Sequence, residues 1–320
     1  MEYRTLAASD LKVSRVGFGS WAVGGYGWGH VDDRESIAAV RAALDLGVNL
    51  FDTADIYGLG HSEEILAEAL GERRKDVVIA TKFGVKWDAL GRTSLDVSPR
   101  RVLEALEGSL RRLRLDAILL YQIHWPDGTT PIEETLGALA RCQEAGKVRW
   151  IGCCNFPADL LRAARAIAPI VSIQVPYNIV DRRAAATLLE AVRELNMDGL
   201  AYSPLAQGLF SGKYETQPGF TSDDVRSRTA YFHQRAFERN RVVVERLKEI
   251  AAAYGRTPAQ VAIRWVLDSP AVACALVGIK TVAQLIENTQ IDWSLSPADR
   301  TLIDALGAAE TWGEPEEVPR

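Results

Sequence analysis

Eight short apolar runs, bounded by glycine or polar residues, recur along almost the whole chain with helical patterns between them. They are RVGFG (15–19), VNLFD (48–52), VVIAT (77–81), AILLYQIH (117–124), KVRWIGC (147–153), VSIQV (171–175), GLAYS (199–203) and VACALVG (272–278). Runs of this length and composition suit buried parallel strands. Start signals mark the helices between them: Asp32-Asp33 before a helix to Leu46, Ser62 before one to Leu70, and Ser98-Pro99 before 99–113. Thr130-Pro131 opens 131–145, and Asp181 opens 182–195. Gly47, Gly71 and Gly146 stand where left-handed helix stops are expected. Strand and helix alternating eight times in 320 residues predict an α/β fold, a (β/α)8 TIM barrel forming one domain over 1–320.

The rival is an open doubly wound sheet, which needs a glycine-rich first turn leading into a helix. GFGSWAVGG (17–25) is glycine-rich, but no helix starts inside it and no convincing acidic residue follows some twenty positions on. Additions to the barrel are also legible. Tyr3 to Val13 reads as an N-terminal β-hairpin cap. The stretch after Ser203 holds a long polar loop (211–232) and extra helices at 236–254 and 258–269 before the last strand. Ser296-Pro297 opens a final helix, 297–307, and then an acidic tail. A loop as long as 211–232 is expected to be functional.

Composition removes several function classes. A net charge of -5 argues against nucleic acid. No apolar run approaches the ~20 residues needed to span a bilayer, and MEYRTLAASDLKVSR lacks a secretory pattern. Cys142, Cys153, Cys154 and Cys274 show no metal-ligand spacing, so buried reduced thiols and a cytoplasmic location are expected, with no metal.

The chemistry gathers in GVNLFDTADIYGLGHSEEILAEAL (47–70), where an apolar strand stops on Asp52 and Tyr57 follows in a turn. The next two strands end on Lys82 and His124. Barrels of this class build their sites at the C-terminal ends of strands. Alone, each of the four has an ordinary structural use; on one rim they form a set. A lysine ammonium stabilises a phenolate, a carboxylate orients that lysine, and a histidine hydrogen-bonds a carbonyl oxygen. The set suits protonation of a carbonyl as hydride arrives at carbon, or the reverse.

These segments resemble the aldo-keto reductase superfamily along almost the whole chain. The stretch 47–70 is similar to its first signature, ATKFG to the lysine segment and YQIHWPD to the histidine segment. GKVRWIGCCNF, YSPLAQGLFSGK and GIKTVAQLIEN resemble the fifth-strand, seventh-strand and C-terminal cofactor segments, and the HWPD form points to the bacterial and potassium-channel β-subunit branch. The resemblance implies an NAD(P)H-dependent reductase of aldehydes or ketones. Tyr57 would be the general acid, Lys82 with Asp52 would lower its pKa, and His124 would orient the carbonyl. It further implies that Asn155 and Gln174 hold the nicotinamide carboxamide, that Tyr202 stacks under the ring, and that Ser20 and Trp21 meet the cofactor mainly through backbone. Ser203, Pro204, Leu205, Gln207, Gly208 and Lys213 would line the pyrophosphate beneath the 211–232 loop, with Arg226 and Gly278 as further cofactor positions. Cys154 departs from the pattern, which has serine there, and a thiol is the weaker hydrogen-bonding group.

Lys280 and Thr281 begin a helix, where N–H groups and the dipole favour an anion, and so suit the 2′-phosphate of NADP. Gln284 stands where many relatives carry arginine, and Glu287 and Asn288 match the adenine end. NADP(H) is therefore the preferred cofactor, with NAD(H) as a second. Trp28, Trp87 and Trp125, in three rim loops, are expected to wall the substrate pocket with Tyr26 and Phe232, for a neutral carbonyl compound or sugar. A monomer or weak homo-oligomer is expected. Three other readings stay open: an aldose or alcohol dehydrogenase working oxidatively, a cofactor-binding sensor with little turnover, and an unrelated Schiff-base aldolase using Lys82.

Overall fold

The computed structural model describes residues 1–25, 27–29, 31–183 and 187–308. The expected pocket residue Tyr26, part of the expected 182–195 helix and the acidic tail lie outside them. The chain opens with the expected hairpin, β1 (Tyr3–Thr5) antiparallel to β2 (Lys12–Ser14). Then β3 (Val16–Gly19), β4 (Leu50–Asp52) and β5 (Val78–Phe83) pair in parallel, followed around the barrel by β8 (Ile118–Ile123), β9 (Val148–Cys154), β10 (Ile170–Pro176), β11 (Asp198–Tyr202) and β12 (Val272–Gly278). Strand β12 pairs with β3, closing the barrel with no free edge. The predicted (β/α)8 barrel is the observed one. Between β5 and β8 lies a feature absent from the sequence reading, a second hairpin of β6 (Val85–Trp87) and β7 (Thr93–Leu95). Its strands are three residues long and half-exposed, too short and too polar to stand out by periodicity.

Alternation along the strands sorts their side chains. Leu50, Val78, Ala80, Leu120, Leu200 and Leu276 fill the interior, and the hairpin residues Leu6, Leu11 and Val13 join them from below. Phe51, Ile79, Tyr121, Ile123, Ile151 and Val277 face outwards into a second core shared with the helices. Those helices are α1 (Asp33–Asp45), α2 (His61–Leu70), α3 (Pro99–Leu113), α4 (Ile132–Glu144), α5 (Ala158–Ile167) and α6 (Leu188–Glu194). The additions are α7 (Gln234–Ala253), α8 (Pro258–Leu267), α9 (Val282–Asn288) and α10 (Pro297–Ala308). No helix among the described residues is long and apolar enough to cross a membrane.

Several predicted boundaries need correction. Helix α2 starts at His61 with Gly60 as its cap; Ser62 lies inside it, its hydroxyl donating to Ser20 instead of capping. Helix α6 begins at Leu188, not 182, and the Asp181 carboxylate binds Arg183 rather than starting a helix. Gly71 has φ 54° and ψ −135°, outside the left-handed helical region. The 211–232 segment is not wholly irregular, since it contains short 3-10 turns at Val225–Arg228 and Ala230–Phe232. Asp32 and Ser98 do cap their helices as expected, through the N–H groups of Arg34 and Arg101.

Leu6 is 1% exposed and belongs to the interior core. Leu6→Ala should therefore cost ~2–5 kcal/mol in urea unfolding; an unchanged midpoint would show that the hairpin is dispensable to the barrel.

Candidate active site

At the C-terminal rim β4 delivers Asp52 and β5 delivers Lys82, both inward and almost fully buried. The Lys82 ammonium lies 2.8 Å from Asp52 Oδ2, and donates to the Thr53 carbonyl at 3.0 Å and to the Tyr57 hydroxyl at 3.0 Å. The Tyr57 ring meets His124, just beyond β8, edge to face at 5.8 Å. All four residues expected from the sequence are thus brought together.

Electrostatics give each group a defined state. Burial opposes the charge on Lys82, but Asp52 and the Tyr57 hydroxyl outweigh it and raise the ammonium above its ordinary value. Burial pushes the Tyr57 phenol up to about 12 against the pull of Lys82. The expected lowering by Lys82 is therefore present but does not prevail in this state. Burial, aided by the Lys82 charge, holds the His124 imidazole well below its ordinary value, so it is neutral. Its Nδ1 is buried and has no hydrogen-bond partner among the described residues.

The residues assigned to the nicotinamide end bond one another. Gln174 Nε2 donates to Asp52 Oδ1 at 2.7 Å, so Asp52 is held from two sides. Asn155, in the left-handed region at φ 59°, donates to the His124 carbonyl at 3.1 Å and accepts from the Tyr202 hydroxyl at 3.0 Å. The Ser20 N–H and hydroxyl both bond the Asp52 carbonyl, at 2.9 and 2.7 Å, so this backbone donor faces the barrel's own strand. Trp21 stacks on Tyr57 at 6.1 Å and meets Trp28 edge-on at 5.0 Å. Cys154 points into the barrel and donates to Gln122 Oε1 at 3.9 Å, its thiol raised by burial. Cys153 packs in the outer core, so the two adjacent thiols lie on opposite faces of β9.

The expected phosphate end is a loop of unusual backbone followed by a basic cluster. Ser203, Gln207 and Gly208 have φ 53°, 54° and 91°. Gln207 accepts from the Thr229 hydroxyl at 2.7 Å, tying this loop to the 211–232 segment. The Arg226 guanidinium binds Asp224 at 2.5 Å and lies over Phe220 at 4.4 Å and Trp28 at 5.6 Å. Lys280 donates to the Trp28 carbonyl at 2.8 Å. Burial, then Arg226, lowers the Lys280 ammonium, and Lys213 adds in the same direction while Asp224 opposes. Thr281 caps α9 through the Gln284 N–H, while Gln284 Oε1 takes the Lys280 N–H. Both termini of that exchange are occupied, so the helix start offers less open N–H than the sequence argument assumed. Trp87 lies on β6 rather than in a loop, and packs on Arg101 at 5.7 Å.

Comparison with known proteins follows this geometry. The sequence model of the Aldo/keto reductase family matches residues 15–308. The chain belongs to that family. The aldo-keto reductase YhdN of Bacillus subtilis is 37% identical over 310 residues, covering 96% of this chain and 93% of that protein. The Schizosaccharomyces pombe aldo-keto reductase yakc [NADP(+)] is 34% identical, covering 90% and 86%. Among solved structures, a glycerol dehydrogenase from Gluconobacter oxydans superposes with a TM-score of 0.89 at 35% identity, covering 99% of this chain and 98% of its own. The holo form of an aldo-keto reductase from Bacillus halodurans gives 0.81 at 28%, covering 98% and 99%. This aldo-keto reductase is therefore an oxidoreductase of a family that uses nicotinamide cofactors.

Sequence reasoning missed the supports of the tyrosine loop. Gly58 (φ 60°) faces Gly24 so closely that a Cβ would lie 2.3 Å from the Gly24 carbonyl oxygen. The glycine pair in GGYG and YGLG is the only trace of this in the sequence. Gly58→Ala should lower stability by more than ~1 kcal/mol, and by more than Gly91→Ala, whose φ is also positive (75°) but whose Cβ meets nothing within 4 Å. Equal losses in denaturant titration would refute the close-packing account.

Proposed function

We infer that this aldo-keto reductase reduces aldehydes or ketones to alcohols with NADP(H), Tyr57 acting as general acid. One observation carries the reading: a buried ammonium touches both a carboxylate and the tyrosine hydroxyl, beside a neutral histidine. Burial keeps Tyr57 protonated, the form that reduction needs. As its proton passes to the carbonyl oxygen, the phenolate left behind is stabilised by Lys82 at 3.0 Å. Asp52, held by Gln174, keeps Lys82 charged and aimed. Neutral His124 keeps one ring N–H with which to donate a hydrogen bond to the carbonyl oxygen.

A nicotinamide held on the rim would supply the hydride. Residues suited to such a cofactor are Asn155 and Gln174, whose amides are already held by His124, Tyr202 and Asp52, the Tyr202 ring, and the loop from Ser203 to Gly208 with Lys213. Lys280, half-buried among Arg226 and Lys213 with one nearby carboxylate already bound to Arg226, suits a 2′-phosphate. A relative named for NADP(+) supports that preference, with NAD(H) as the second cofactor. We take Trp28 and Trp125 as the aromatic substrate wall, Trp87 being engaged by Arg101 and Trp21 by Trp28 and Tyr57. A second reading, polyol or aldose oxidation by the same residues, is favoured by the likeness to a glycerol dehydrogenase. We take the chain as one domain, acting in the cytoplasm as a monomer or weak homo-oligomer. For the monomer, exposed Leu90 lies in the β6–β7 turn, Leu103 on α3, Ile167 on α5 and Val242 on α7, so these apolar side chains are spread over separate elements.

Tyr57→Phe should keep NADPH binding, read by tryptophan quenching, and lose turnover by on the order of 10²–10³-fold; substantial residual reduction would sink the acid assignment. Lys280→Ala should weaken NADPH by about 10- to 100-fold, the worth of one charge-assisted hydrogen bond, and leave NADH nearly unaffected. Equal losses for the two cofactors would remove Lys280 from the 2′-phosphate.

A further inference from the structure

Behind the barrel wall that carries Lys82, two buried acids meet two arginines from a single helix face. Asp55 and Glu63, both 0% exposed, lie on either side of Tyr57 in sequence. Arg101 binds Asp55 at 2.5 Å and Arg112 binds Glu63 at 2.7 Å. Both arginines belong to α3, eleven positions apart. At ~100° per residue, eleven residues return to within about 20° of the same face, and at ~1.5 Å rise they stand about 16 Å apart. One rigid helix therefore grips both ends of the segment that carries the tyrosine.

That segment needs holding. Gly58, Leu59 and Gly60 have φ 60°, 56° and 102°, and Leu59 adopts that conformation with a branched side chain. Backbone of this kind persists only where its surroundings impose it. Arg112 passes beneath the turn: a Cβ on Gly60 would lie 2.7 Å from its Cδ, and one on Gly108 would lie 3.1 Å from its NH1 nitrogen. The acids also hold β5. Glu63 accepts from Thr81 Oγ1 at 2.6 Å, immediately before Lys82, and the Asp55 N–H reaches the Lys82 carbonyl at 3.4 Å. The loop of the tyrosine and the strand of the lysine thus share one scaffold, outside the four-residue set.

We propose that Arg101 and Arg112 form a two-point brace that positions Tyr57 for proton transfer, through Asp55 and Glu63. None of the four touches the reacting atoms, so they are positioning residues. The proposal rests on the reading of Tyr57 as general acid. Two features of the site make it testable. Burial raises the Asp55 carboxyl to about 7 against Arg101, so removing that arginine leaves a neutral acid instead of an isolated buried charge. Arg101 also lies under the Trp87 ring, linking the β6–β7 hairpin to the same anchor.

The test compares full-length Arg101→Met, Arg112→Met and the double variant Arg101→Met/Asp55→Asn with wild type. Arg100→Met serves as control, since Arg100 is exposed and pairs with Glu104 one turn along its own helix. Single-turnover reduction of 4-nitrobenzaldehyde at saturating NADPH should fall roughly 10- to 100-fold in the first three, as expected for a displaced catalytic group. NADPH affinity and the control should be unchanged. Deuterium exchange should rise in peptides covering 53–62 and not in those of the N-terminal hairpin. Removing both partners should restore the denaturation midpoint lost in Arg101→Met without restoring the rate. Rates that recover with the midpoint would reduce the pairs to structural ones and overturn the brace. So would unchanged rates, or exchange rising evenly through the chain. A wild type inert with every carbonyl and cofactor tried would instead refute the proposed function, and the exchange pattern would still judge the brace.

Discussion

The buried Lys82–Asp52 pair is the interaction on which the rest of the rim depends. Taking two charges out of water costs several kcal/mol per ion, and a pair at the mouth of a barrel persists only if every remaining donor and acceptor is answered. Here they are. Lys82 divides its three protons among Asp52, the Thr53 carbonyl and Tyr57. Asp52 takes Gln174 on its other oxygen, while its backbone carbonyl takes Ser20 twice. The arrangement draws on four strands, because β4 and β5 supply the charges, β3 leads to Ser20 and β10 supplies the amide. A closed barrel is well suited to this, since its interior directs side chains from separate strands at one point.

Above that pair the environment separates two groups that titrate in opposite senses. Burial favours the neutral form of both Tyr57 and His124, which leaves the phenol protonated and the imidazole uncharged. Lys82 acts on both, stabilising the phenolate and opposing an imidazolium. The rings of Trp28, Trp21, Tyr57 and His124 follow one another in contact across this side of the rim.

The outer wall matters as much as the interior. Strand β5 presents Lys82 inwards and Thr81 outwards, and the two faces meet different networks, one catalytic in character and one joined to α2 and α3. Polar residues in the helix layer of a barrel carry a desolvation cost, so their pairing there implies a constraint on geometry. The tyrosine loop, with its left-handed residues and its glycine contact to the first βα loop, is where that constraint falls.

Much of this was legible in the chain itself. The eight apolar runs and their helix start signals are local properties, set by side-chain period and capping chemistry, and they predict the barrel. The positions of Asp52, Lys82 and His124 follow too, because a polar residue ending an apolar strand has one direction to point. Other features depend on contacts distant in sequence. The β6–β7 hairpin has too few residues for a periodic signal. The Asp181 carboxylate, an apparent helix start, accepts from the Tyr231 hydroxyl fifty positions away, and Ser62 gave up capping for a bond to Ser20, forty-two positions away. The Asp55–Arg101 and Glu63–Arg112 pairs span 46 and 49 positions. Local chemistry thus determined which elements form and which residues reach the rim. Tertiary packing decided which charges meet, because burial and pairing exist only once strands and helices close around them.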